Sequence, residues 1–247
     1  MFLNAGVMEN GLVSPSVEGT PQGGSASPLL ANIYLHYVVD LWFERKIKPR
    51  FRGKAELVRY ADDLCLFFEN PTDVDTMRTL LQARLAQFGL TLAEEKTHQI
   101  NLGARTNNGT HERRKLTFLG FTIYRAKSFS SSVRKTVFQT EGKRFSRAKA
   151  GMREQLRRMK HHPVEEQARA INQILRGHFN YYGIAGNAKK LHAFWDFTRK
   201  EWKHSLSKRS QKGRLTWEDL KALLVKHPLA PPRIRISYPQ LAAYARL

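Results

Sequence analysis

An α+β fold is predicted by three features of the sequence. Two short apolar runs flank an acidic pair at residues 62 and 63, apolar residues at helical spacing lie on either side of that hairpin, and the second half carries long helix-period segments. The chain has 247 residues, 41% of them apolar, enough for a packed core in one large domain or two small ones. Pro28 opens the first helix, with Leu29, Leu30, Ile33, Tyr34, Tyr37, Val38 and Leu41 on its spacing. Glu56 to Tyr60 and Leu64 to Phe68 read as two strands joined at Ala61, Asp62 and Asp63. Residues 73–88 read as a helix with Val74, Met77, Leu80, Leu81, Leu85 and Phe88 apolar, closed by Gly89. Asn107, Asn108 and Gly109 mark a loop, and Leu116 to Tyr124 reads as a strand pair turning near Gly120.

The remainder is predicted to be mainly helical. Residues 143–160 form a strongly basic helix, and residues 164–181 put Val164, Ala168, Ile171, Leu175 and Phe179 on one face. After Gly183 and Gly186, residues 188–206 align Leu191, Phe194, Trp195, Trp202 and Leu206. Thr216 and Asp219 have the spacing of a helix start, and Pro228, Pro231 and Pro232 end that helix.

Charge divides the chain. Its formal net charge is +21, of which residues 1–120 carry +1 and residues 121–247 carry +20. A surface this basic is matched by a dense polyanion, with nucleic acid the first candidate and an anionic membrane the second. Cys65 is the only cysteine, so an intramolecular disulfide is excluded and a cysteine-based zinc site is disfavoured. The first ten residues lack the features of a signal peptide, and the stretch Leu29 to Phe43 is too short and too polar to span a bilayer. A cytoplasmic, RNA- or nucleoid-associated protein of bacterial type without a membrane partner is the expectation, with an organellar location also open.

Asp62 and Asp63 are the first candidates for chemistry. Adjacent carboxylates at the tip of an apolar hairpin need solvent or a cation, and their hard oxygens suit Mg²⁺. The competing reading is that Asp is simply a good turn residue. In the basic half, Lys143, Arg144, Arg147, Arg153, Arg157 and Arg158 spread around one helix whose only acid is Glu154, a pattern suited to a folded RNA rather than to internal i,i+4 pairing. Arg176, Lys189, Lys190, Arg199 and Lys203 extend the patch. Tyr181 and Tyr182 offer rings for stacking on unpaired bases, although packing between helices is the commoner fate of such a pair. His178 is read as packing or a phosphate contact.

The string Tyr60-Ala61-Asp62-Asp63 between two apolar strands resembles the signature hairpin of reverse transcriptases. Gly19-Thr-Pro-Gln-Gly-Gly-Ser-Ala-Ser-Pro-Leu-Leu-Ala-Asn32 resembles the preceding palm motif of those enzymes. Gly89 to Thr97 and Phe118-Leu-Gly-Phe121 resemble the two later motifs. Ile174-Leu-Arg-Gly-His-Phe-Asn-Tyr-Tyr-Gly183, followed by basic and aromatic helices, resembles the maturase-specific region of group II intron-encoded proteins. The resemblance implies a partial polymerase palm over residues 1–124, an antiparallel sheet with packed helices, then a helical thumb and maturase region over residues 125–247. It implies RNA-directed DNA synthesis by two-metal phosphoryl transfer, with an RNA template and a DNA primer, and the binding and splicing of a group II intron RNA.

Roles follow from the same resemblance. Asp62 would ligate Mg²⁺ with Asp63 as its less direct partner, and Tyr60 would lie beneath the primer end. Gln22 and Gly23 would line the nucleotide and template pocket, Lys96 would sit near the triphosphate, and Phe118, Leu119, Gly120 and Phe121 would support the primer strand. One departure stands out. The family carries a further metal-binding Asp on an earlier strand, whereas residues 1–18 hold Glu9 and Glu18 and no Asp. The expectation is therefore a C-terminal portion, lacking fingers and the first catalytic strand, that does not polymerise alone unless another chain supplies them. The alternative is a non-catalytic remnant that stabilises folded intron RNA.

Overall fold

The computed structural model describes residues 7–9, 12–14, 26–102, 115–127, 134–209 and 215–244. The chain forms two compact units, residues 1–101 and residues 102–247.

In the first unit, β1 (Val7–Glu9) and β2 (Leu12–Ser14) form an antiparallel pair with Met8 opposite Val13. α1 (Ser27–Leu35) has Pro28 in its first turn, where the missing N–H costs nothing. The helical run does not stop at its end. It continues through π turns at His36–Asp40 and Phe43–Ile47 and a 3₁₀ turn at Lys48–Arg50. The wider turns keep Val38, Val39, Phe43 and Ile47 together in the core.

β3 (Ala55–Tyr60) and β4 (Asp63–Phe68) pair antiparallel, with Leu57 opposite Leu66 and Tyr60 opposite Asp63. The period-2 alternation sends Ala55, Leu57, Leu64, Leu66 and Phe68 toward the helices. α2 (Pro71–Gln87) adds Met77, Leu81 and Leu85 to the same core and is closed by Gly89 at φ 67°. Among the described residues this unit leaves apolar groups uncovered: Leu29, Ile33 and Tyr37 on the first helical run, and Val58, Tyr60 and Phe67 on the outer face of the hairpin.

The second unit begins with a three-stranded antiparallel meander in the order β5 (Leu116–Phe118), β6 (Phe121–Lys127), β7 (Arg134–Thr140). Phe121 of β6 packs on Tyr181 and Tyr182, so these strands fold with the helices that follow them. α3 (Gly142–Arg158), α4 (Val164–Tyr182) and α5 (Ala188–Ser207) then make an up-down-up bundle. Phe145 meets Phe194, Arg153 meets Glu201 and Ser205 bonds the Leu156 carbonyl, so α3 and α5 run parallel. The core holds Met152, Leu156, Ile171, Leu175, Leu191, Phe194 and Trp202. α6 (Trp217–Lys226) starts with a reciprocal capping box between Thr216 and Asp219, as their spacing predicted, and α7 (Tyr238–Tyr244) follows.

Two buried amides fix this unit. Gln167, fully buried, donates to the carbonyls of Met159, Lys160 and His162 at 2.6, 3.3 and 3.1 Å and accepts from the Trp202 indole at 2.9 Å. It thereby closes the α3–α4 turn and ties it to α5. Asn187 accepts from the Thr140 backbone N–H and donates to the Thr140 hydroxyl and the Tyr182 carbonyl, each at 2.9 Å. That pins the end of β7 to the start of α5. Replacing Gln167 with Leu keeps the bulk but removes the partner of the Trp202 indole N–H and the donor to the Lys160 carbonyl, while the Met159 and His162 carbonyls keep the His162 N–H and Arg209 as donors. The expected loss is about 3 kcal/mol in urea unfolding.

Candidate functional site

The acidic pair sits on a two-residue turn. Tyr60 pairs with Asp63, leaving Ala61 and Asp62 at the tip. Ala61 adopts φ 53°, a left-handed conformation that costs a residue with a Cβ on the order of 1 kcal/mol. That conformation lets the chain reverse within two residues, Ala61 and Asp62. Tyr60, Asp62 and Asp63 are all exposed at this end of the hairpin.

The carboxylates fit a hard divalent cation in kind, since such an ion commonly takes one or two protein carboxylates and completes its shell with water and substrate phosphate. Among the described residues no group of three or more His, Cys, Asp or Glu side chains is placed to hold a metal.

Beneath the turn lies a residue to which the motifs assign no role. Arg59 occupies a core-facing position of β3, where alternation would call for an apolar side chain. Its Nε and Nη2 donate to Asp40 at 2.8 and 2.7 Å, and its Nη1 donates to the Asn32 side chain at 2.8 Å and to the Ala61 carbonyl at 2.9 Å. A longer contact of 3.5 Å runs from Nη2 to the Asn32 carbonyl. The hydrogen bond from Arg59 holds the Asp40 carboxyl below its usual range against the opposing effect of burial, and His36 assists. The same bond raises the Arg59 pKa. The signal in the sequence was a polar stripe, Asn32, His36 and Asp40, on a helix otherwise spaced for packing.

Other predicted residues are distributed as follows. Gln22 and Gly23 lie outside the described residues. Lys96 ends a 3₁₀ turn over Glu94–Lys96 and is exposed. In the second unit, Phe118 and Phe121 face each other across a turn at Leu119 and Gly120, both with positive φ, 49° and 74°. This is the mirror-image turn geometry favoured in tight hairpins, with Leu at a position where Gly or Asn is usual. The Tyr181 hydroxyl donates to the Leu119 carbonyl at 2.9 Å and the Glu141 N–H to the Gly120 carbonyl at 2.9 Å. Tyr181 also stacks on Phe121 with ring centroids 5.7 Å apart. The tyrosine offered to bases therefore has a protein ring and a protein carbonyl as partners, although it stays 56% exposed.

The basic residues sort by what they touch. Arg153 bonds Glu201, while Arg157 and Arg158 share Glu154, whose carboxyl pKa their hydrogen bonds lower. Arg144 lies 3.9 Å from Glu141. Arg199 covers the Trp195 ring and approaches Asp196 at 3.6 Å. Lys203 lies over Trp217, and Lys190 over Phe145. Lys143, Arg147, Arg176 and Lys189 make no ion pair among the described residues. Lys143 and Arg147 stand at the N-terminal part of α3 and Lys189 at that of α5, which is the same end of the parallel pair.

His178 is a packing residue. Its ring lies 4.3 Å from Phe194 and 4.7 Å from Tyr182, and its Nε2 is buried without a hydrogen-bond partner. Burial lowers its pKa from 6.5 to about 4. The unfolded chain therefore takes up this proton at a higher pH than the folded one. Stability is full above pH 6.5 and falls as the pH drops toward 4. The expected loss is about 2 kcal/mol after discounting for residual exposure. Urea unfolding of His178→Phe should lack that part of the pH dependence.

Comparison with known proteins agrees with the motif order. The family model of reverse transcriptase (RNA-dependent DNA polymerase) matches residues 3–123, and that of the group II intron maturase-specific domain matches residues 145–223. The group II intron-encoded protein LtrA of Lactococcus lactis subsp. cremoris is 51% identical over 47 residues, 19% of this chain and 8% of that protein. LtrA of strain MG1363 of the same subspecies matches equally. The matched stretch is thus a small part of the relative's length. A reverse transcriptase region followed by a group II intron maturase domain, in the order that the motifs also follow, makes this chain a member of the group II intron reverse transcriptase/maturase family.

Proposed function

We propose that the chain binds folded group II intron RNA through its second unit and assists splicing by stabilising that fold. The observation that carries this reading is the cluster of cations without acidic partners among the described residues, Lys143, Arg147 and Lys189, where α3 and α5 both begin. The helix N-termini add positive potential there, and phosphate is the complementary ligand. Arg153, Arg157 and Arg158 lie toward the other end of α3 and are partly neutralised by Glu201 and Glu154.

We further propose that the turn at Asp62 and Asp63 is the metal-binding part of a reverse transcriptase palm, with Mg²⁺ as its ion. Bound there, Mg²⁺ would neutralise charge developing on a transferring phosphoryl group. The chain's own contribution is to hold the two carboxylates on a strained, exposed tip, with Tyr60 beside them. RNA template, DNA primer and a chain supplying fingers and a further carboxylate strand are the partners this reading calls for.

Binding of a structured intron RNA should weaken steeply between about 50 and 200 mM salt. Lys143, Arg147 and Lys189 changed together to Ala should reduce affinity about tenfold and flatten the salt slope by roughly two to three units, since each phosphate left without its cation removes about 0.9 from the slope. Arg153, Arg157 and Arg158 changed together should cost less. Affinity that ignores salt, or that survives the first triple change, overturns the reading. Primer extension on an RNA template should be absent for the chain alone. Synthesis that disappears on Asp62→Ala would instead demonstrate a complete catalytic site.

A further inference from the structure

Asn32 ends the motif that begins at Gly19, and Asp62 belongs to the hairpin motif 30 residues later. The two motifs meet at one guanidinium. Each of the five N–H donors of Arg59 has an acceptor: both oxygens of Asp40, the side chain and carbonyl of Asn32, and the carbonyl of Ala61. Asp40 and Asn32 stand on the helical run that starts at Ser27; Ala61 immediately precedes Asp62. We infer that Arg59 is a positioning residue, which sets the metal-bearing turn against the helix continuous with the pocket motif.

The chemistry favours positioning over simple packing. An apolar side chain at 59 would fill the same inward place without the desolvation of an ion pair whose arginine is 11% exposed. What an apolar residue lacks is direction. The Ala61 carbonyl must stay fixed for the left-handed Ala61 to persist without glycine, and a planar fork holds it and the helix together. Lysine, a point charge with a flexible stem, cannot serve Asp40, Asn32 and Ala61 at once.

This inference rests on the proposed reading of the turn as a divalent-cation site, and two measurements separate them. Amide hydrogen exchange at Asp62, Asp63 and Leu64 reports on the turn, with Met77 to Leu85 of α2 as the internal reference. Arg59→Met should speed exchange at the turn by about tenfold and leave α2 unchanged, with Arg59→Lys between it and the native chain. Asn32→Ala, which keeps the Asp40 pair and so the fold, should show a smaller, local acceleration of about threefold. Native exchange at the turn in both Arg59→Met and Asn32→Ala, or equal acceleration in α2, overturns the role. Mn²⁺ alone is the probe of the second measurement. Its affinity should fall in Asp62→Asn and about fivefold in Arg59→Met. A loss in Asp62→Asn with native affinity in Arg59→Met overturns the inference. Native affinity in Asp62→Asn overturns the metal reading instead, and the exchange data alone then decide the role of Arg59.

Discussion

The arrangement of the basic surface depends on one buried amide. Gln167 donates to three carbonyls in the α3–α4 turn and accepts from one indole on α5, which leaves little freedom in how those elements align. The up-down-up order makes α3 and α5 parallel, the amide ties the turn between α3 and α4 to α5, and Lys143, Arg147 and Lys189 come to one end. A polar group so deep is costly unless every partner is present. Here each is present, and the amide specifies geometry that leucine–leucine contact would leave loose. The surface proposed to bind RNA is in this sense organised from the interior.

The two hairpin tips share a design. Ala61 and Leu119 both take left-handed backbone conformations without being glycine, and each offers its carbonyl to a side chain from elsewhere, Arg59 in one case and the Tyr181 hydroxyl in the other. A strained residue whose carbonyl is held resists relaxation better than a glycine, which has many neighbouring conformations open to it. Both tips fall in motifs for which the resemblance to reverse transcriptases proposes a role in substrate handling. Tight, non-glycine turns exchange conformational ease for a fixed position.

Much of this was legible in the sequence. The helix faces through Ile171, Leu175 and Phe179 and through Leu191, Phe194 and Trp202 follow from periodicity, and the turn at Asp62 follows from two apolar runs of equal length. The strand Arg134–Thr140 escapes a sequence reading because Lys135, Thr136 and Gln139 make it look like a polar loop, and its pairing with β6 is decided by tertiary contact. The strands at Val7–Glu9 and Leu12–Ser14 are too short to announce themselves. Arg59 escapes for a different reason: alternation turns it inward, but a charged residue beside an exposed motif is easily read as part of its surface, and its partners Asn32 and Asp40 lie on a helix far away in sequence. Likewise Glu154 and Glu201 look sparse among so many cations, yet they engage Arg153, Arg157 and Arg158.

The π turns of the first helical run bear on how this protein can change length. At His36–Asp40 the Leu41 N–H reaches back to the His36 carbonyl, and at Phe43–Ile47 the Lys48 N–H reaches back to Phe43. Each such turn accommodates one residue more than an α-helical turn closing the same loop. Removing one residue from either stretch would return it to ordinary α-helical pairing, without swinging everything downstream to another face. An ordinary helix has no such slack, because a single deletion rotates its remainder by about 100°. The segment that carries Asp40 is thus a place where relatives can differ by a residue while the hairpin it supports keeps its seat.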